Sequence, residues 1–358
     1  MNCATPPLLS LCIPTFNRAE LLDVCLASIL PQTCQWSECV EVVISDNAST
    51  DQTAAMLDKW SQRFQLRRHR QVENIGLLGN ITFVAGTLAR GAYVWLLGDD
   101  DVLAVRAIDR VVDMLQRSPE IDLIGLNVGY FSSDRRPAAS DCEGGVEDIP
   151  DFQLRSRGLM GVVPFEQLLE GPCADFTAMY ASITRRQWWE EEFPQPLSGP
   201  SFTSVRNSYP HALLIARHMP GKLAGALREP LVCIYSMPAE RFSWAKYHAL
   251  TVVLHATSLL KLFEANGVPR KVLEPYYLYQ LNHRGSDLGN LIWDPNSAGG
   301  TWAAWQFAWL LRHYPLRLLK LFLVSCAHPN APVLLRWPVQ RWLHRNRNYV
   351  PVALGGML

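Results

Sequence analysis

The chain carries none of the short motifs that settle an enzyme class at once. No GxGxxG follows its first apolar run, so a dinucleotide-dependent oxidoreductase loses its main support, and no GxxxxGK[ST] cradle for a P-loop kinase occurs. Its 9 His form no HExxH, and no GxSxG elbow presents a nucleophilic serine. The 9 Cys include no CxxC pair, so neither a disulfide framework nor a zinc knuckle is signalled, and a reducing cytoplasm fits. Net charge is missing as well: 33 basic residues balance 33 acidic ones, where nucleic-acid binders usually carry a basic excess. The opening Met1-Asn2-Cys3-Ala4-Thr5-Pro6-Pro7 lacks a positive segment and a long apolar core, so no secretory signal is expected. No stretch reaches about eighteen uninterrupted apolar residues, which favours surface association over a membrane span.

One local absence is sharper. After Asp294 no Asp or Glu follows, whereas Arg312, Arg317, Lys320, Arg336, Arg341, Arg345 and Arg347 do. A basic tail rich in Trp and Leu, running from Trp302 through Trp342, is expected to touch an anionic membrane surface. The plainer alternative is an ordinary helical subdomain with its arginines in solvent.

What is present is a chain of 358 residues, 49% hydrophobic and 18% charged, long enough for one large domain with an appendage or for two domains. Apolar runs at Leu8–Pro14, Val40–Ser45, Leu66–Val72, Tyr93–Leu97 and Ile121–Asn127 alternate with segments of helical spacing at Arg18–Leu30, Asp51–Trp60, Leu77–Ala89 and Val105–Leu115. That alternation calls for an α/β fold, a mainly parallel sheet sandwiched by helices, with ligands at the carboxyl ends of strands. From Ser132 to Gly161 Gly, Pro, Asp and Glu dominate, which reads as a mobile loop. Strand and helix signals then resume, and helical periods prevail after Trp244. The expected division is a catalytic domain over 1–240 and a helical region over 241–358.

Every polar motif of the first third falls at a strand end. Asn17 and Glu20, after Pro14-Thr15-Phe16, have capping-box spacing, which would aim backbone N–H groups at an anion but leaves Arg18 unexplained. After the second strand, Ser49 and Gln52 have the same spacing, so Asp46 and Asn47 are expected at the crevice, within reach of a nucleobase or ribose. Asn74 and Gly76 form a turn in which Gly76 can take a positive φ, with Asn80 one turn into the next helix. The strongest signal is Tyr93-Val94-Trp95-Leu96-Leu97-Gly98-Asp99-Asp100-Asp101, an apolar strand running into three acids. Packed carboxylates at a buried strand end need a cation, and magnesium typically takes one or two carboxylates and fills its shell with water and phosphate oxygens. The competing reading is a solvated acidic turn.

Together these strand ends resemble the family 2 glycosyltransferases of the GT-A, nucleotide-diphospho-sugar transferase, fold. The wording Trp95-Leu96-Leu97-Gly98-Asp99-Asp100-Asp101 is most similar to the bacterial abequosyltransferase-like branch, whose members build O-antigen and related surface glycans. The resemblance covers about residues 8 to 130 and thins toward 245. It implies a nucleotide-sugar donor held by Pro14, Thr15, Asn17, Arg18, Asp46, Asn47, Asn74, Gly76, Asp99 and Asp100. Asp46 would lie near the base and Thr15 and Asn17 beside the nucleotide. Asp99 would face the ribose or sugar, and Asp101, with Asp99, would bind Mg²⁺ or Mn²⁺.

The resemblance also implies a general base, usually a Glu-Asp pair opening a helix roughly ninety to a hundred and ten residues after the acidic motif. Here the sequence departs from the family. Glu147-Asp148 comes too early, and the expected place holds Ser208-Tyr209-Pro210-His211. His211 is therefore the candidate base, since an imidazole titrates near neutral pH; the competing reading is a satisfied histidine that caps its helix. Asp175 and the run Glu190-Glu191-Glu192 are the other candidates. The expected activity is inverting, metal-dependent transfer to a lipid-linked sugar or oligosaccharide, in the cytoplasm and peripheral on the inner membrane face. A sugar nucleotidyltransferase would want a Gly-rich first loop, which Ile13-Pro14-Thr15-Phe16-Asn17 is not, and a catalytically silent scaffold would have no use for the acid cluster.

Overall fold

The computed structural model describes residues 6–132, 137–147, 159–170, 177–236 and 245–345. Two compact units emerge, Met1–Ser201 with Tyr209–Ser236, and Phe202–Ser208 with Met237–Leu358.

The first unit is built on a 9-stranded sheet in the order β3-β2-β1-β4-β8-β6-β9-β5, with β7 paired to β9. Its first four strands are β1 (Leu9–Thr15), β2 (Val40–Asp46), β3 (Arg67–Arg70) and β4 (Tyr93–Leu96), and their pairings are all parallel. Every residue of β1 and β4 is buried, as continuous apolar runs require when both faces of a sheet are covered. The chain steps outward from β1 to β3 and returns to lay β4 on the other side of β1. Right-handed crossovers then put α1 (Ala19–Thr33) and α2 (Thr53–Ser61) on one face and α3 (Leu77–Phe83) on the other. The reversal opens a crevice at the carboxyl ends of β1 and β4.

Beyond β4 the sheet departs from the simple parallel expectation. After β5 (Val102–Leu103) and α4 (Ala107–Arg117) come β6 (Leu123–Ser132), β7 (Gly161–Pro164), the single-turn α5 (Phe165–Leu168) and β8 (Ser182–Arg185). Then follow α6 (Arg186–Glu192), α7 (Pro210–His218) and β9 (Leu223–Ser236). β8 is antiparallel to β4 and β6, and β9 is antiparallel to β5 and β7 but parallel to β6. Two-residue β5 carries no periodicity that a sequence reading can detect.

Local chemistry explains two further differences. Pro31 was the natural end for the first helix, yet α1 runs on to Thr33. Proline cannot bond the Ala27 carbonyl, and the Gly144 N–H does so instead, at 3.0 Å. The same bond corrects the reading of residues near 140 as a mobile loop. Over 137–147 the chain is tied down, with Cys142 buried and Val146 bridging Ala104.

The second unit is helical. α8 (His248–Leu250) continues through a π-helical turn, Thr251–His255, into α9 (Ala256–Ala265). After these come α10 (Arg270–His283), α11 (Gly285–Trp293), α12 (Gly300–Leu310), α13 (Pro315–Ser325) and α14 (Val333–Arg345). α12 packs on α9 and α11, and α13 on α10 and α11, around buried Phe263, Tyr277, Leu291, Phe307 and Leu321.

Gly91, in the turn that feeds β4, allows a close backbone approach to β1. A Cβ there would lie 2.7 Å from the Ser10 nitrogen and 2.8 Å from the Leu9 carbonyl carbon, neither of which can yield. Gly91→Ala is expected to lower unfolding free energy by about 1–3 kcal/mol. Urea denaturation checks this, and an unchanged midpoint would contradict it.

Candidate active site

β4 delivers the acids into a turn anchored at both ends. The Leu97 N–H donates to the Cys12 carbonyl of β1 at 3.0 Å, and Val102 and Leu103 pair with Cys233 and Val232 of β9. Between these anchors the turn is closed by Asp101, whose carboxylate accepts the Gly98 N–H at 2.6 Å. Gly98 is required on steric grounds too, because a Cβ would meet the carboxylates of Asp100 and Asp101 at 2.8 and 3.1 Å. The Cys25 thiol of α1 donates to the Gly98 carbonyl from below.

The crowding has an electrostatic consequence. Asp99 and Asp101 are buried, at 4% and 3% exposure. Burial pushes the Asp99 carboxyl up to about 6; Arg18 opposes the shift and Asp100 adds to it. Asp101 is driven well above the usual carboxylate range by burial and then by Asp100, with the Gly98 N–H opposing. Arg18 answers this charge. Its guanidinium donates to Asp99 at 2.7 Å and reaches Asp100 at 3.1 Å, while the Thr15 hydroxyl donates to the second Asp99 oxygen at 2.7 Å. Burial disfavours the Arg18 charge, but Asp99 and Asp100 outweigh it and raise the pKa. The structure thus joins four of the expected donor-binding residues, Thr15, Arg18, Asp99 and Asp100, by direct bonds, with Asp101 in the same turn.

A second polar cluster lies at the ends of β2 and β3. Asp46 is not left open at the crevice as its sequence setting suggested. It accepts the Ser49 N–H at 2.9 Å and Arg70 Nη1 at 2.7 Å, and Arg70 Nη2 holds the Ser49 carbonyl at 2.6 Å. Asn47 is equally engaged: its amide donates to Asn74 Oδ1 at 2.9 Å and its oxygen accepts the Ile75 N–H at 2.9 Å. Gly76 takes φ 81 as expected, its N–H held by Asn74 Oδ1 at 2.8 Å. Asn80 exchanges bonds with Ser45, pinning α3 to β2.

Neither expected capping box forms. Asn17 sits in the left-handed region at φ 54, which turns its side chain away from α1 and onto the Thr50 N–H at 2.7 Å. The job of capping falls to Asp51, whose two oxygens accept the Ala19 N–H of α1 and the Thr53 N–H of α2, both at 3.0 Å. Asp51 and Arg70 were missed in the sequence. The signal for Arg70 was the base-rich Arg67-Arg68-His69-Arg70 beside a strand that ends in acid, since parallel register sets Arg70 opposite Asp46.

His211 is buried in the first turn of α7, behind Pro210 at the helix start and the Tyr209 cap. Glu190, Glu191 and Glu192 lie on α6, engaged with Arg186, Gln187 and Arg217 respectively. Asp175 and Asp148 lie outside the described residues. Among the described residues no three or more His, Cys, Asp or Glu side chains converge as a ready-made ion cage. The donor set is nonetheless the hard-oxygen kind that Mg²⁺ and Mn²⁺ prefer, and these ions need only one or two protein carboxylates when phosphate and water complete the shell. Asp101 and Asp99 fit that requirement.

Residues 10–168 match the family described as Glycosyl transferase family 2. Abequosyltransferase RfbV of Salmonella typhimurium is 41% identical over 98 residues, 27% of this chain and 29% of that protein. Validoxylamine A glucosyltransferase of Streptomyces hygroscopicus subsp. jinggangensis is 30% identical over 179 residues, 50% of this chain and 41% of that one. The chain therefore spans less than half the length of these relatives. Among solved structures, S. aureus TarS 1–349 in complex with UDP-GlcNAc superposes with a TM-score of 0.62 at 13% identity, covering 94% of this chain and 91% of that chain. Mannosyltransferase PcManGT from Pyrobaculum calidifontis, in complex with GDP-Man and Mn²⁺, gives a TM-score of 0.50 at 16% identity over 96% of this chain and 85% of its own. At these identities the likeness establishes a shared GT-A fold.

Because the Asp99 pKa is raised in the folded state, from 3.8 to about 6, its stabilising contribution is complete below about pH 4 and is lost as pH rises through 6. In EDTA, unfolding free energy is therefore expected to fall between pH 4 and 6.5 more steeply in the wild type than in Asp99→Asn, by an amount of order 1–3 kcal/mol. Parallel curves for the two proteins would refute the shift.

Proposed function

We propose that this chain, whose residues 10–168 match Glycosyl transferase family 2 and which is similar over 98 residues to an abequosyltransferase, is an inverting, metal-dependent glycosyltransferase. It moves a sugar from a nucleotide diphosphate donor to a lipid-linked sugar or oligosaccharide in bacterial surface polysaccharide assembly of the O-antigen type. It works at the cytoplasmic face of the membrane. The observation that carries the reading is the acidic turn Gly98–Asp101 with Arg18 laid across it, at the crevice between β1 and β4.

In this reading Asp101 and Asp99 hold Mg²⁺ or Mn²⁺, which when bound supplies positive charge to a departing diphosphate. Arg18, already bonded to Asp99 and Asp100, would offer phosphate oxygens bound in the same crevice a planar, two-pronged donor. Thr15 orients Asp99 through its hydroxyl. Asp46, Asn47, Asn74 and Gly76 shape the nucleoside end, with Asp46 acting through Arg70 and the Ser49 loop. His211 takes the proton from the acceptor hydroxyl, and Asp175 is the alternative base. An inverting reaction needs one base and no covalent intermediate, so a single buried imidazole suffices.

A sugar nucleotidyltransferase would have to bind a triphosphate at a β1 loop that lacks glycine, and a silent scaffold would have no reason to bury Asp99 and Asp101 beside a third acid and an arginine. Asp101→Asn is expected to lower kcat by at least about 100-fold with the fold intact by circular dichroism, the several kcal/mol that a metal contributes to developing charge. Full activity in EDTA would contradict the metal's role. His211→Ala is expected to lose about 100-fold or more in kcat with donor KM unchanged, and a wild-type rate would remove His211 from the mechanism.

A further inference from the structure

Helix α12 has no charged residue and packs only one side of itself into the second unit. Ala303 and Phe307 are fully buried, whereas Trp302, Trp305 and Trp309 are 68%, 76% and 67% exposed. Their spacing of three and four places these indoles on one face, away from the core. Three large aromatics in water on one stripe are far outside what a soluble surface needs. With Gln306 and Leu310 of the same helix they also line a groove of about 470 Å³ whose other wall is Leu254 and Ser258.

The pattern extends along the next helix. Leu316, Leu319, Phe322 and Leu323 of α13 are all exposed, at 42–82%. Bases accompany the apolar face: Arg312 stacks over Trp309 with its guanidinium 4.4 Å from the ring centroid, and Arg317 and Lys320 lie on α13. No Asp or Glu follows Asp294 to balance them.

We propose that this face of α12 and α13 docks on an anionic lipid bilayer, with the tryptophans at headgroup depth and a lipid hydrocarbon chain in the groove between α9 and α12. The charge pattern selects this occupant. A second copy of the chain, meeting this face isologously, would set Arg312 and Arg317 against their own images, whereas anionic headgroups neutralise them. Indole rings prefer the boundary where one edge is apolar and the other wet. No helix of the described residues is long and apolar enough to cross a membrane, so the contact lies in the interface plane. The proposal rests on the reading of the chain as a transferase for a lipid-linked acceptor and gives that enzyme its anchor.

The test is sedimentation of the full chain with vesicles in which about a third of the lipid is phosphatidylglycerol, against purely zwitterionic vesicles. Quenching of tryptophan fluorescence by chain-brominated lipid is read in the same samples. Binding to the anionic vesicles with quenching is expected. Combined Trp302→Ala, Trp305→Ala and Trp309→Ala should weaken it at least about tenfold, and so should Arg312→Glu with Arg317→Glu and Lys320→Glu. A thermal-shift response to nucleotide sugars in lipid-free buffer is measured alongside and should be the same in all variants. Equal binding by wild type and the tryptophan variant overturns the proposal, as does a concentration-dependent dimer that the tryptophan variant abolishes without any vesicle binding. A normal nucleotide response in a protein that ignores vesicles defeats the membrane contact alone and leaves the catalytic reading standing.

Discussion

Three carboxylates on consecutive residues at the buried end of β4 are the constraint that the rest of the first unit serves. Left to themselves they repel, and burial makes the charges of Asp99 and Asp101 dearer still. The fold answers with one guanidinium, one hydroxyl and one backbone N–H, from Arg18, Thr15 and Gly98. This leaves Asp101 and Asp99 with elevated pKa values, so the turn is short of positive charge. A site in that condition gains free energy from any hard cation that enters with a phosphate ligand, and that is the electrostatic basis of the proposed chemistry.

Rigidity around the turn comes from loops that satisfy one another across strand ends. The loop after β1 donates the Asn17 N–H to Ser49 and accepts the Thr50 N–H on its side chain, and Asp51 caps the helices that follow both β1 and β2. Asp46 and Arg70 lock the next pair of strand ends. Three separate stretches of chain are thereby tied together by side-chain hydrogen bonds, which order the polar strand ends around the crevice. Such cross-ties also explain why polar residues at these ends are largely buried and satisfied.

Much of this was legible in the sequence because strand and helix periodicities differ and the polar residues stand where apolar runs stop. The first four strands, the crevice and the acidic turn followed from that pattern. What escaped had physical causes of its own. β5 has two residues, too few for a period; a strand signal near Thr177–Thr184 marked β8, but its antiparallel pairing with β4, far away in sequence, left no local trace. α1 passes Pro31 because a glycine more than a hundred residues later supplies the missing bond, an exchange no local window reveals. Asn17 and Ser49 had the letters of helix caps, but positive φ at Asn17 sends its side chain elsewhere, and residue spacing carries no record of φ. Arg70 was hidden because a charged strand reads as a weak one.

The proposed chemistry requires Asp101 and Asp99 to hold the cation that offsets a leaving diphosphate. A crystal grown with Mn²⁺ and a nucleoside diphosphate, with data collected at the manganese absorption edge, tests it most directly. The account predicts an anomalous peak bonded to an Asp101 oxygen and to phosphate oxygens, with Arg18 turned from Asp100 toward the phosphates. Manganese bound elsewhere, or a nucleotide seated in the crevice with Asp99 and Asp101 untouched and the Arg18 bridge intact, would contradict it.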